Sequence, residues 1–265
     1  MKITMKNEYF EDNSGKVEKD LAILLGRVSH HMHPEIIEYI TKKNVDFKND
    51  FIKYCRHTKL DYDNFFYEGS DCIFPGIRRP VNSEKKNLKN WKNNIYERDG
   101  TIFNDNTYPR HIWAFLSLGR CYSGGAKGTW KESCLDDFEL AHIFGHKKDE
   151  KDLEKEVFDC FDDTVLPYSL FTSASNVVLI PKGLTKPTDK MESIKICFYK
   201  RHLDLYGNNL NGMNKFKDQL VPKWYKKIIW LEPILPTDWK DKIDSLLNYR
   251  IKHLKDKYSK VYPCV

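Results

Sequence analysis

The sequence holds no run of about eighteen apolar residues, so no segment of it is expected to cross a bilayer as a helix. Its first residues, MKITMKNEYFEDNSGKVEKD, lack the apolar stretch of a secretory signal. No CxxC pair occurs. The seven cysteines, Cys55, Cys72, Cys121, Cys134, Cys160, Cys197 and Cys264, are odd in number and scattered. That pattern argues against a disulfide framework and for reduced thiols in a cytoplasm. Long blocks of one charge sign are missing too, and aromatics reach 14 %, which excludes an intrinsically disordered composition. The glycines of SGGAKGTW at 123–130 do not make a phosphate loop: that loop needs Gly-Lys followed by Ser or Thr, and here Lys127 precedes Gly128.

What remains is a chain of 265 residues, 40 % apolar, long enough for one large domain or a core with a helical accessory lobe. The net charge of +6 suits an anionic partner and equally suits an ordinary soluble protein with surplus lysine.

Periodicity organises the chain. VEKDLAILLGRV at 17–28 has its apolar residues at helical spacing, and PEIIEYI opens a second helix with Pro34 in its first turn. Between them lies SHHMHP, whose His30, His31 and His33 invite a metal reading. No carboxylate or cysteine stands nearby at a matching spacing, so a polar interhelical turn is expected there. Residues 58–110 are rich in turn formers and aromatics. Within them FPGIRRP holds Arg78 and Arg79 between two prolines that restrict the backbone. KKNLKNWKNN sets four lysines around Trp91, a composition fit for phosphate contacts or for a solvated helix face. HIWAFLSLGRCY predicts a buried helix, CLDDFELAHIF a strand, and KKDEKDLEKEVFDCFDD an exposed helix or excursion. SNVVLIP has the β-branched form of a short strand, and Asp189 with Glu192 suggests a capping box for a helix through MESIKICFYKRHLDLYG. A final amphipathic helix is expected around 238–260.

The middle of this order, strand, excursion, strand, helix, carries residues with chemistry. Ala141-His142-Ile143 ends the first strand and Asn176 precedes the VVLIP strand. Over roughly residues 135–205 the chain resembles the HNH, or ββα-metal, endonucleases. Their first strand ends in a histidine, their second begins after an asparagine, and a helix follows. The resemblance implies an α+β fold, with a compact ββα-metal motif embedded in a largely helical body. On that reading residues 1–110 form a mainly helical region suited to DNA recognition, 111–205 the nuclease core and 206–265 a helical C-terminal region.

The same resemblance assigns roles. His142 matches the general base that deprotonates the attacking water, a task suited to imidazole. Asn176 matches the amide that braces the loop beside the base, since an amide both donates and accepts. A divalent metal, Mg2+ or Mn2+, would polarise the phosphate. Two positions depart from the pattern: Ala141 stands where an aspartate or histidine ligand is common, and Thr185 falls where counting expects the third histidine. The nearest remaining ligand candidates are Glu139, His146 and Asp189, with Glu139 facing away from His142 on a strand. Lys186 is an alternative source of positive charge. The implied activity is a metal-dependent, restriction-type endonuclease of double-stranded DNA, cytoplasmic and working as a homodimer. Arg78, Arg79, Lys223, Lys226 and Lys227 are its candidate DNA contacts. Two other readings stay open: a non-catalytic nucleic-acid-binding protein on a degenerate scaffold, and a hydrolase or binding protein unrelated to nucleases.

Overall fold

Ile36, Ile37 and Ile40 recur at helical spacing, and all three are buried on one side of helix α2 (Pro34–Asp46). Pro34 occupies its first turn, and His33 caps it by accepting the Glu35 N–H on Nδ1 at 3.2 Å. Elsewhere the same logic builds α1 (Glu8–Val28), α3 (Thr107–Leu118), α4 (Lys148–Val157) and α7 (Trp239–Val261). In α7 the buried residues Trp239, Ile243, Leu246, Leu247 and Arg250 form one stripe. A computed structural model of the chain describes residues 8–50, 52–53, 70–72, 107–120, 130–131, 133–145, 148–158, 172–207 and 216–261.

The protein is α+β: mostly helical, with one two-stranded antiparallel sheet. Strands β1 (Phe138–His142) and β2 (Val177–Pro181) pair in the register Glu139–Ile180, Ala141–Val178, His142–Val177. The first four residues of β2 are all buried, as expected of an apolar strand covered on both faces. One face, with Ala141, Val178 and Ile180, packs on α1 and on α6 (Glu192–Tyr206). The other, with Phe138, Leu140 and Leu179, packs on Trp130, Leu135 and Trp113. A short helix, α5 (Lys186–Lys190), links β2 to α6.

Two larger cores flank the sheet. α2, α3 and α7 share one, and α1, the sheet, α4 and α6 share the other. Each draws on residues from the N-terminal, middle and C-terminal stretches of the chain.

Two local expectations are corrected. Asp189 does not cap α6: it lies inside α5, and the N-cap of α6 is Met191, with no side-chain cap bond. Pro187 starts an extra turn early, and the Met191 N–H closes it on the Pro187 carbonyl at 2.9 Å, which moves Asp189 away from the end of α6. Nor is SHHMHP a plain polar turn. Ser29, His31 and Met32 are buried, and His30 exchanges two backbone hydrogen bonds with Leu179, at 2.9 and 3.0 Å. The far edge of β2 is thereby satisfied where it would otherwise bury unpaired amides. Neither ring nitrogen of His31 has a hydrogen-bond partner among the described residues. The ring stacks on Phe198 and meets Trp230 edge-on.

Gly26 marks a close approach. A Cβ there would run into the Ile228 side chain and lie 3.5 Å from the Ile229 carbonyl, beside the Leu231 N–H to Gly26 carbonyl bond of 2.8 Å. Gly26→Ala gains about 1 kcal/mol of helix propensity but overpacks a buried, stiff β-branched neighbour at about 1–3 kcal/mol. A lowered melting temperature in a thermal scan is the expected result. An unchanged or raised one would show that Ile228 yields freely.

Among the described residues, no helix is long and apolar enough to cross a membrane. Cys72, Cys134 and Cys197 are free thiols, and burial pushes Cys72 and Cys197 up to about 12. Cys55, Cys121, Cys160 and Cys264 lie outside the described residues.

Candidate functional site

The segment leading into β2 is polar yet wholly buried: Thr172, Ser173, Ala174, Ser175 and Asn176 are all inaccessible. Each polar group there therefore needs a partner. Asp71 supplies several, although it is distant in sequence. Its carboxylate accepts the N–H groups of Ala174 and Ser175, at 2.7 and 3.1 Å, and the Ser175 hydroxyl at 2.7 Å. Burial pushes the Asp71 carboxyl above its ordinary range, against the pull of these bonds. His202, on α6, sits 3.1 Å from the Ser175 carbonyl through Nδ1, which places a donor N–H there in the neutral imidazole. Asn176 N–H in turn donates to Ser173 Oγ at 3.3 Å.

So positioned, Asn176 clamps the turn that follows β1. Its Oδ1 accepts the Phe144 N–H at 2.7 Å, and its Nδ2 donates to the Phe144 carbonyl at 3.2 Å. Its own carbonyl accepts the Ile143 N–H at 2.9 Å. Phe144 is held from the other side by stacking on Tyr199, with ring centroids 5.1 Å apart, and by an edge contact with His202 at 4.9 Å. Gly145 N–H donates to the buried Glu154 of α4 at 2.7 Å. Three successive residues after His142 are thus fixed by Asn176, just before β2, and by groups from α4 and α6.

His142, the last residue of β1, lines a cleft between the sheet and the helices that follow it. The other lining residues are Ala141, Ile143, Val178, Thr188 of α5, and Lys195 and Phe198 of α6. Lys195 is 7 % exposed and Thr188 is 6 % exposed. The Thr188 hydroxyl donates to the Thr185 carbonyl at 2.6 Å. Among the described residues lining the cleft, His142 is the sole imidazole and no carboxylate is present.

Several sequence candidates stand elsewhere. Glu139 is exposed and accepts the Thr185 hydroxyl at 3.1 Å, so these two meet each other, outside the lining of the cleft. Asp189 is half-exposed in α5 and does not line the cleft. Lys186 opens α5, and its side chain lies outside the described residues. His146, Arg78, Arg79 and the lysines around Trp91 lie outside them as well. Lys223, Lys226 and Lys227 are exposed on the turns between Lys217 and Ile228. Among the described residues no group of three or more His, Cys, Asp or Glu is placed to hold a metal ion. The lining set of one imidazole, one threonine and one lysine does not fit Mg2+, which takes oxygen ligands and carboxylates in particular.

Sequence reasoning missed Asp71, Glu154, Thr188, Lys195 and His202. A signal existed for one of them: Lys195 interrupts the apolar run IKICFY. Asp71 carried none, because its partners lie 103 and 104 residues away.

Burial also sets a pH response. It holds His202 down at about 4 and His31 at about 3, the latter helped by Arg201, His202 and His30. Both are neutral in the fold and would protonate near 6.5 once unfolded. Folded values below the unfolded one mean that this stability is fully present above about pH 6.5 and is lost as pH falls toward about 4. His202 alone would remove on the order of 3 kcal/mol across that window. Urea melts at pH 7.5, 6 and 5 are expected to show midpoints falling below pH 6.5, with a shallower fall in His202→Asn. Flat midpoints would contradict buried neutral histidines. Compared with protein-family models, with curated proteins and with solved structures, the chain matches none.

Proposed function

We propose that the chain is a nuclease of the ββα type that hydrolyses phosphodiester bonds of double-stranded DNA. The observation that carries this reading is the Asn176 clamp on the turn after His142, joined to a cleft that His142 itself lines. Such a brace gives a histidine at a strand end a defined position.

In the reaction, His142 takes a proton from water as the water oxygen bonds to phosphorus. The bond from phosphorus to the leaving sugar oxygen breaks, and that oxygen departs with the electron pair and takes a proton from solvent. Asn176 and, behind it, Asp71 and His202 are positioning residues: they act on His142 through the backbone of 143–144 and 173–176. Among the described residues that line the cleft there is no carboxylate to hold a divalent ion, so no step here is routed through one. The residues outside the sheet and α6 exceed what cleavage requires, which suits a restriction-type enzyme with a DNA-reading body. Lys223, Lys226 and Lys227 are its exposed phosphate contacts. Cutting both strands would call for two copies facing one duplex.

Ala141, buried beside the base without a polar side chain, favours a second reading: a nucleic-acid-binding protein that keeps the scaffold without catalysis. Incubation of a long mixed-sequence duplex with the protein, with Mg2+, with Mn2+ or with EDTA, separates the two. Discrete fragments support the nuclease. Intact DNA that is nevertheless bound, with an affinity falling steeply as salt rises, supports the binding protein.

A further inference from the structure

We infer that residues 228–236 form an open strand edge on which a second copy of this chain docks antiparallel, making a symmetric dimer. The inference goes beyond the nuclease reading and does not depend on it.

From Ile228 to Pro236 the chain has no helix, turn or bend. Ile228 starts the stretch in the β region, at φ -76° and ψ 118°. One face of the stretch is anchored: Ile228 is buried, and Trp230 meets the rings of His31 and Phe198 edge-on. One backbone edge is anchored too. The Leu231 N–H donates to the Gly26 carbonyl at 2.8 Å, and the Leu231 carbonyl accepts from Arg201 at 3.5 Å. In an extended chain the N–H and C=O of one residue share an edge, and those of the next point to the opposite edge. Trp230, Glu232 and Ile234 therefore present theirs outward. Among the described residues, none of these backbone groups has a hydrogen-bond partner. Pro233, which has no N–H to offer, falls on the inward edge.

An edge of this kind is a template for another strand. Ile229 and Ile234 add apolar surface to it. Each is 67 % exposed, more than any other large apolar side chain among the described residues. Charge selects the partner. Lys226 and Lys227, just before the stretch, are exposed and have no ion pair among the described residues. Glu232, beyond its middle, meets Arg201 at 3.4 Å yet keeps 80 % of its side chain exposed. A stretch that is positive at its start and negative further on complements itself when two copies run antiparallel. A two-fold axis near Ile229 sets the two Ile229 side chains against each other, and Lys226 and Lys227 of each copy beside Glu232 of the other.

The test is sedimentation equilibrium of the full chain over about a 100-fold range of concentration, where mass action shifts a dimer. Hydrogen exchange of 228–236 is followed on the same samples. Wild type is expected to pass from monomer to dimer, with exchange in 228–236 slowing as it does. Ile229→Asp, which opposes two carboxylates, is expected to weaken the dimer by at least about 30-fold. Glu232→Lys alone, or Lys226→Glu with Lys227→Glu, should each weaken it about tenfold, because every change acts twice in a symmetric pair. All three changes together should restore most of it. Wild type that stays monomeric throughout overturns the inference, whichever other chain the edge then takes. A dimer that persists in Ile229→Asp, or whose 228–236 amides exchange at the monomer's rate, overturns it as well, since another surface then joins the copies. Should Ile229→Asp fail to fold, the charge swap and the exchange arm still decide.

Discussion

Alanine at position 142 is expected to slow strand scission by about 10²–10⁴-fold, the usual contribution of a positioned general base. His142 is half-buried at the end of β1, and Asn176 and Glu154 hold the turn beyond it. Stability should fall by about 1 kcal/mol, the centre of the range for point substitutions. The combination is diagnostic. A structural histidine would lose stability and activity together, whereas a base loses activity alone. Single-turnover cutting rates and thermal melts on the same preparations read both quantities. A variant that cuts at the wild-type rate would remove His142 from the reaction.

The second large effect is expected at Asn176, with the opposite balance. Asn176→Ala strands the N–H and the carbonyl of Phe144, both paired now with the Asn176 amide inside the protein. Leaving buried polar groups unmade costs about 1–3 kcal/mol each, so a total of about 2–4 kcal/mol is expected after relaxation. For a chain of this length that is a fall of roughly 5–10 °C in melting temperature. The rate should fall as well, by about 100-fold, because a base displaced by about 1 Å loses that much. Asn176→Asp accepts the Phe144 N–H but cannot donate to its carbonyl, so it should restore only part of the stability. A melting temperature unchanged in Asn176→Ala would mean that the stacking of Phe144 on Tyr199, not the amide, holds the turn.

Local signals carried the elements well where one physical cause dominates. The apolar stripe of PEIIEYI, the proline at its start and the β-branched run VVLIP each determine their own structure, and each element stands where periodicity placed it. The same holds for Asn176 and His142, which lie at the ends of strands that pattern alone located. What stayed hidden depends on long-range pairing. Asp71 sits in a turn-rich stretch with nothing to mark it, and its meaning comes from Ala174 and Ser175. His30 to Met32 looked like a turn because three histidines suggest water, yet the edge of β2 demanded backbone partners there. Counting positions along the chain chose Thr185 and Lys186 as the helix-borne groups. The intervening turn of α5 shifted the helical register, so that Thr188 and Lys195 are the residues that meet the cleft.

Under the proposed function, water activated beside His142 attacks a phosphodiester. The most direct measurement is cutting in water enriched in oxygen-18, followed by mass spectrometry of the new phosphate ends under single-turnover conditions. One solvent oxygen is expected in each new terminal phosphate, at a rate that collapses in His142→Ala. Intact strands, or ends that form without solvent oxygen, would contradict it.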